Sequence, residues 1–170
     1  MLARAREATS DPAIEYRRSA IEDIDFPAGT FDVVISSLAL HYVEQFDRVC
    51  FAVERCLADA GAFVMSVEHP IFTAREEQDW HYDAAGSPLH WPIDNYLCEG
   101  IRRTRWLTDV VKYHRTTASY VNALMAAGFR IAALLEPAPP AELLEARPEL
   151  AEHLRRPMFL LVAATKGQGA

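Results

Sequence analysis

Glycine is scarce in this chain of 170 residues: seven in all, and none is placed to let a nucleotide approach backbone. The single G-x-G, Gly167-x-Gly169, lies in the tail and not between a strand and a helix. A nicotinamide-binding oxidoreductase needs a glycine turn there, so that class is disfavoured. Cysteine is scarcer still. Cys50, Cys56 and Cys98 are odd in number and fit no metal-ligand spacing, which predicts reduced thiols, a cytoplasmic protein and no metal. Basic charge is also short. The formal net charge is -7, and the densest basic cluster, Arg102, Arg103 and Arg105, reads as solvated surface. Without a basic stripe to neutralise phosphates, neither nucleic acid nor an anionic membrane is an expected partner. No apolar run approaches the roughly 20 residues that span a bilayer. The first residues, MLARAREATSD, lack the core of a signal peptide. No internal repeat or low-complexity segment is found.

What is present is an ordinary globular composition, sufficient for one sizeable core. Its centre is Phe31–Val43, FDVVISSLALHYV. Phe31 to Ile35 is apolar on both faces and rich in β-branched residues, which predicts a strand buried on both sides. Phe46, Val49, Cys50, Val53 and Leu57 recur at helical spacing, with Gly61 as a left-handed stop. Ala62–Val67 reads as the next buried strand, so strand, helix and strand form a right-handed parallel crossover. Ligands bind beyond the carboxyl ends of such strands, which points to the loop Ser36–Tyr42 and to Glu68-His69.

Around this centre, Leu2–Ala8 reads as a helix tail, Ile14–Arg18 as a short strand, and Pro27-Ala28-Gly29 as a turn. From Pro70 to about Val110 the chain is expected to be irregular and rich in aromatics, including Trp80, Tyr82, Trp91, Tyr96 and Trp106. So long a segment reads either as a substrate cap or as a cover over one sheet face. Thr117 is expected to cap a helix to Ala127 that buries Tyr120, Val121 and Leu124, with Gly128 as its stop. Phe129–Leu135 and Met158–Thr165 read as strands, separated by a Pro-rich stretch with two short helical pieces.

AIEDIDFPAGTF, the FDVVISSLALHYV that continues it, and VVKYHR farther on resemble the second half of the nucleotide-binding core of S-adenosylmethionine-dependent methyltransferases, in their small-molecule branch. The resemblance implies an α/β, Rossmann-like sheet in the order three, two, one, four, five, seven, six, with an antiparallel hairpin at its end. It covers the whole chain as a single partial domain, residues 1–170, with a cap at about 69–113. The family's first two strands, its glycine turn and the carboxylate that holds the cofactor ribose have no counterpart here. Three readings follow: an N-terminally truncated product, a first strand docked directly on the central one, or a partner chain or dimer covering the open sheet edge. The implied activity is methyl transfer from S-adenosylmethionine to a small-molecule acceptor. The alternative is a non-catalytic remnant that binds no cofactor alone.

Carried over position by position, the resemblance implies cofactor contacts at Ile21, Glu22 and Asp23, where Ala20 replaces an Asp that many members have. It also places Ser37 and Leu38 beside the sulfonium. A positively charged methyl donor needs an aligned nucleophile and exclusion of water, not a metal. His41 and His114 are the candidate catalytic groups, since an imidazole titrates near neutrality; for His41, packing at a helix start is the alternative. Glu68, His69, Trp91, Tyr96 and Arg115 are the candidate acceptor-binding residues, with Arg115 either forking onto a substrate carboxylate or tying the cap to the core through Glu68 or Glu99. The Asn/Asp-Pro-Pro-aromatic motif of amino-methylating DNA and protein enzymes is absent, which favours a small acceptor.

Overall fold

Two kinds of apolar pattern meet at the centre of the protein: period-two runs along strands and the inner stripes of two helices. The computed structural model describes residues 2–9, 11–104 and 110–167, so Arg105, Trp106 and Gly169 lie outside it. In chain order, α1 (Leu2–Ala8) precedes a 3-10 turn at Ile21–Asp23 and β1 (Phe31–Ser37). Next come a 3-10 turn at Leu40–Tyr42, α2 (Phe46–Cys56) and β2 (Leu57–Glu68). The cap follows as α3 (Pro70–Thr73), β3 (His81–Tyr82), β4 (Pro88–His90), β5 (Gly100–Thr104) and β6 (Val110–His114). The chain continues with α4 (Thr117–Ala126), β7 (Phe129–Leu135), α5 (Ala141–Ala146), a 3-10 segment at Pro148–Arg155 and β8 (Phe159–Lys166).

The main sheet has the order β1-β2-β8-β7. β1 and β2 run parallel, with Val33 opposite Ala62 and Ser37 opposite Ser66, while β8 is antiparallel to both β2 and β7. This is the expected four-strand arrangement with its antiparallel end. One face of the sheet presents Phe63, Met65 and Val67 from β2 with Leu160, Val162 and Ala164 from β8. Val49 and Val53 of α2 and Tyr120 and Leu124 of α4 close over them. Each fully buried side chain of this size contributes about 1.5–3 kcal/mol.

Several expectations are corrected. β1 is not buried on both sides. It is one of the two edge strands among the described residues, and Val33 and Ile35 are 53% and 73% exposed, because no described strand or helix covers that side. Ile14–Arg18 forms no strand: it pairs with no described strand, the open edge of β1 included, and leads into the turn at Ile21–Asp23. The cap is only partly irregular, with loops at 74–80, 83–87 and 91–99. Its regular elements are two antiparallel hairpins, β3–β4 and β5–β6, after the single turn of α3. Thr116, not Thr117, caps α4, because its hydroxyl is the one that accepts from the Ser119 N–H. Ala123 is buried on α4 where Val121 was expected; Val121 is half-buried. Among the described residues no helix is long and apolar enough to cross a membrane.

Gly61 does not stop α2. That helix ends at Cys56, the left-handed residue is Ala60 at φ 60°, and the chain turns straight into β2. Glycine is required at 61 for another reason: a Cβ there would lie 2.8 Å from the Ala58 carbonyl oxygen and 3.1 Å from the Asp32 carbonyl oxygen. Backbone from β1 leaves no room to yield. Gly61→Ala is therefore expected to destabilise the fold by about 1–3 kcal/mol, the usual cost of overpacking. Urea denaturation reads this directly, and an unchanged midpoint would show that the β1–β2 contact relaxes freely.

Candidate functional site at the sheet rim

Because β1 and β2 are parallel, their carboxyl ends open on the same rim. There Leu38 takes a left-handed conformation at φ 49°, uncommon for a branched residue, and its N–H donates to the Ser66 carbonyl oxygen at 3.0 Å and hydroxyl oxygen at 3.1 Å. The sharp turn leaves Ser37 and Leu38 exposed at the strand end and leads into the Leu40–Tyr42 turn. That turn buries His41 under the end of β2. His41 Nδ1 accepts from the Glu68 N–H at 3.4 Å, so Nε2 carries the proton, 4.0 Å from Glu68 Oε1. Burial, with Lys112 adding to it and Glu68 opposing, pushes the His41 pKa down to about 4. At neutral pH the ring is uncharged and a weak proton acceptor.

Glu68, the last residue of β2, is the hub. Lys112 Nζ donates to its two carboxylate oxygens at 2.7 and 2.8 Å and to Gln78 Oε1 at 3.0 Å, and Gln78 Nε2 donates to Glu68 Oε2 at 3.3 Å. Lys112 is 5% exposed and comes from β6 of the cap, so the ion pair joins cap to sheet. Neither Lys112 nor Gln78 is among the residues singled out by the sequence. The available signal was a lysine inside the apolar strand VVKYH, two positions from His114 and therefore on the same side of the strand.

The other candidates are spread over the rim and the cap. Both ring nitrogens of His69 are engaged: Nδ1 accepts from the Ile71 N–H at 3.0 Å, capping α3, and Nε2 meets Glu136 at 2.8 Å. His114 is buried, with Nδ1 at 2.8 Å from the Thr73 hydroxyl and Nε2 at 2.9 Å from the Tyr96 carbonyl oxygen. Burial is the main cause that lowers the pKa of each. Arg115 does not pair with Glu68 or Glu99. Its guanidinium donates to the carbonyl oxygens of Val43 and Glu44 and lies 5.5 Å from the centre of the Phe46 ring, so it ties the end of β6 to the start of α2. The Tyr96 hydroxyl accepts from the N–H of Thr117, and Trp91 is stacked on Phe72 with its indole N–H donating to the Ile71 carbonyl oxygen at 3.2 Å.

Ile21 packs on the core beside α2, leaving Glu22 and Asp23 exposed on their turn. Ala20 supplies no side-chain cap, so the first N–H groups of that turn are left for water or a ligand. Among the described residues no group of three His, Cys, Asp or Glu side chains is arranged to hold a metal.

This geometry agrees with what the chain is similar to. A family model described as a methyltransferase domain matches residues 1–65. A crystal structure of an S-adenosylmethionine-dependent methyltransferase from Mesorhizobium loti is 48% identical, with a TM-score of 0.91, over 98% of this chain and 76% of that one. One from Listeria monocytogenes, assigned to the same group, is 44% identical with the same TM-score, over 99% of this chain and 76% of that one. An uncharacterized protein of Haemophilus influenzae is 34% identical over 115 residues, which are 66% of this chain. The match spans about half, 45%, of that curated relative's length. With 44% and 48% identity to these two methyltransferases over nearly its whole length, the chain belongs to the S-adenosylmethionine-dependent methyltransferase family.

Proposed function

We propose that this chain serves methyl transfer from S-adenosylmethionine to a small-molecule acceptor, and that it supplies the acceptor side of that reaction. The observation that carries the reading is the cluster of His41, Glu68, Gln78 and Lys112, lodged between the carboxyl rim of two parallel strands and the cap. A carboxylate fixed by a lysine and a glutamine is preorganised to accept from an acceptor's hydroxyl or amine and hold it in line. The cap over it keeps water away. His41 and His114 act here as positioning groups, because their rings are buried and bonded within the protein. The three free thiols suit a reducing, cytoplasmic setting.

The residues present fit the cofactor on one side only. Ser37, Leu38 and the turn at Ile21–Asp23 offer backbone and exposed carboxylates, but no glycine turn and no further strand end with a ribose-binding carboxylate stand opposite them among the described residues. When bound, the cofactor supplies an electrophilic methyl group; no step through it is assigned to this chain. The open flank of β1, with Val33 and Ile35 exposed, favours a second reading for the chain taken alone, in which it binds no cofactor until that flank is covered.

Calorimetry on the full chain is accordingly expected to show S-adenosylmethionine binding no tighter than about 1 mM, since each missing charge-assisted hydrogen bond removes on the order of 1.5–3 kcal/mol. Micromolar binding would remove the second reading. For the acceptor side, the chain is joined to the part of the Mesorhizobium loti relative that it does not span. In that protein Glu22→Ala is expected to weaken cofactor binding. Glu68→Gln and Lys112→Met are expected to lower acceptor turnover by about tenfold or more with cofactor affinity nearly unchanged. If all three substitutions leave both readouts alone, the site lies elsewhere.

The buried histidines make a further prediction. His41 has a folded pKa of about 4 against 6.5. In that window the unfolded chain binds the proton that the folded one refuses, so stability is intact above 6.5 and falls as pH drops towards 4. At ~1.4 kcal/mol per unit, His41 alone accounts for a loss on the order of 3 kcal/mol. Denaturant titrations at neutral and acidic pH should show a smaller loss in His41→Asn than in the parent; parallel pH profiles would count against a neutral, buried ring.

A further inference from the structure

At the far end of the cap stands a buried cation with too few partners. Arg156, 8% exposed, immediately precedes Pro157 on the way into β8. Its guanidinium lies 4.1 Å from the centre of the Trp91 ring, 4.8 Å from Phe72 and 5.3 Å from Trp80. Phe72 and Trp91 are stacked at 13°, and Trp80 meets Trp91 edge-on at 88°. Such faces stabilise the charge but do not accept its N–H groups in good geometry. Nε and Nη1 of Arg156 are buried with no hydrogen-bond acceptor among the described residues. Burial lowers the pKa of this arginine, and the charge of Glu152 opposes that. A largely buried cation with no carboxylate bonded to it is costly unless an anion comes near.

Arg156 lines a cavity of about 280 Å³ together with Trp80, Trp91, Ile71 and Ile93. Arg155 and His90 complete its polar side, and Arg155 lies 4.5 Å from the centre of the Trp80 ring. No carboxylate lines it, in a chain whose net charge is -7. The cavity is therefore a local positive island with aromatic walls. Its size is at the small end for ligand sites, suited to one or two fused rings and not to a nucleotide. We propose that this cavity binds a flat aromatic carboxylate, its rings among the aromatic and aliphatic walls and its carboxylate drawn to the uncompensated charge of Arg156 beside Arg155. The site is built by the cap and the segment entering β8 alone, so it stands independently of the acceptor site at the rim.

The test uses the full chain with three probes: 2-naphthoate, its neutral counterpart 2-naphthamide, and inorganic phosphate. Tryptophan fluorescence and calorimetry are the readouts. Naphthoate is expected to bind saturably, with the amide and phosphate at least about tenfold weaker, a difference of ~1.4 kcal/mol. Arg156→Gln is expected to bring naphthoate down to the level of the amide while leaving the amide unchanged. Ile93→Trp, which fills the cavity and leaves Arg156 in its cage, is expected to weaken both aromatic probes. Should Arg156→Gln fail to fold, the amide comparison and Ile93→Trp decide. Equal binding of naphthoate and naphthamide, phosphate as tight as naphthoate, naphthoate binding untouched by Ile93→Trp, or no saturable binding at all would each overturn the proposal.

Discussion

A lysine and a glutamate face each other where water scarcely reaches, and the placing of the cap follows from that pair. Taking two charges out of water costs several kcal/mol per ion, and their attraction offsets this only with good geometry and further hydrogen bonds. Glu68 and Lys112 meet both conditions: the ammonium touches both carboxylate oxygens, and Gln78 bonds to each partner. A pair of this kind adds little net stability, but it is intolerant of misplacement. It fixes β6 over the end of β2, and the alternation of β6 then brings His114 beneath the cap, where it joins Thr73 to the backbone of Tyr96. Arg102, from the same hairpin, donates to the carbonyl oxygens of Ala74 and Cys98 and holds the other side.

The sheet was legible in the sequence because its strands are continuous apolar runs and nothing else in the chain could occupy its centre. Glu68, His69 and the Ser37-Leu38 turn were legible for a related reason: they follow strands that run parallel, so they share a rim. Lys112 was not. A single lysine between Val111 and Tyr113 looks like the solvent side of a surface strand, and only the cap packed over Glu68 reverses that. Gly61 was read as a helix stop because it follows an amphipathic stripe. The structure uses its missing side chain for contact with β1 and lets Ala60 adopt the left-handed backbone. Arg156 gave no signal, since its partners are aromatic rings brought from 65 or more positions away by the cap.

The two halves of the candidate site differ in completeness. On the acceptor side Glu68, Gln78 and Lys112 are bonded to one another within the protein. On the cofactor side the carboxylates of Glu22 and Asp23 are exposed, and β1 presents Val33 and Ile35 to solvent. An exposed apolar edge strand invites pairing. The physical demand on whatever covers this flank is thus twofold: it must continue the ladder beyond β1, and it must bring apolar cover for that sheet face.

Lys112 anchored on Glu68 also bears on how a molecule reaches the rim. Opening the cap would return both charges to water, so the pair decides where the cap closes far more than how firmly it stays closed. Firmness rests on other ties, such as the Arg115 guanidinium on the carbonyl oxygens of Val43 and Glu44. The pair is thus a register mark and not a lock: it returns the cap to one position over the end of β2 after each opening.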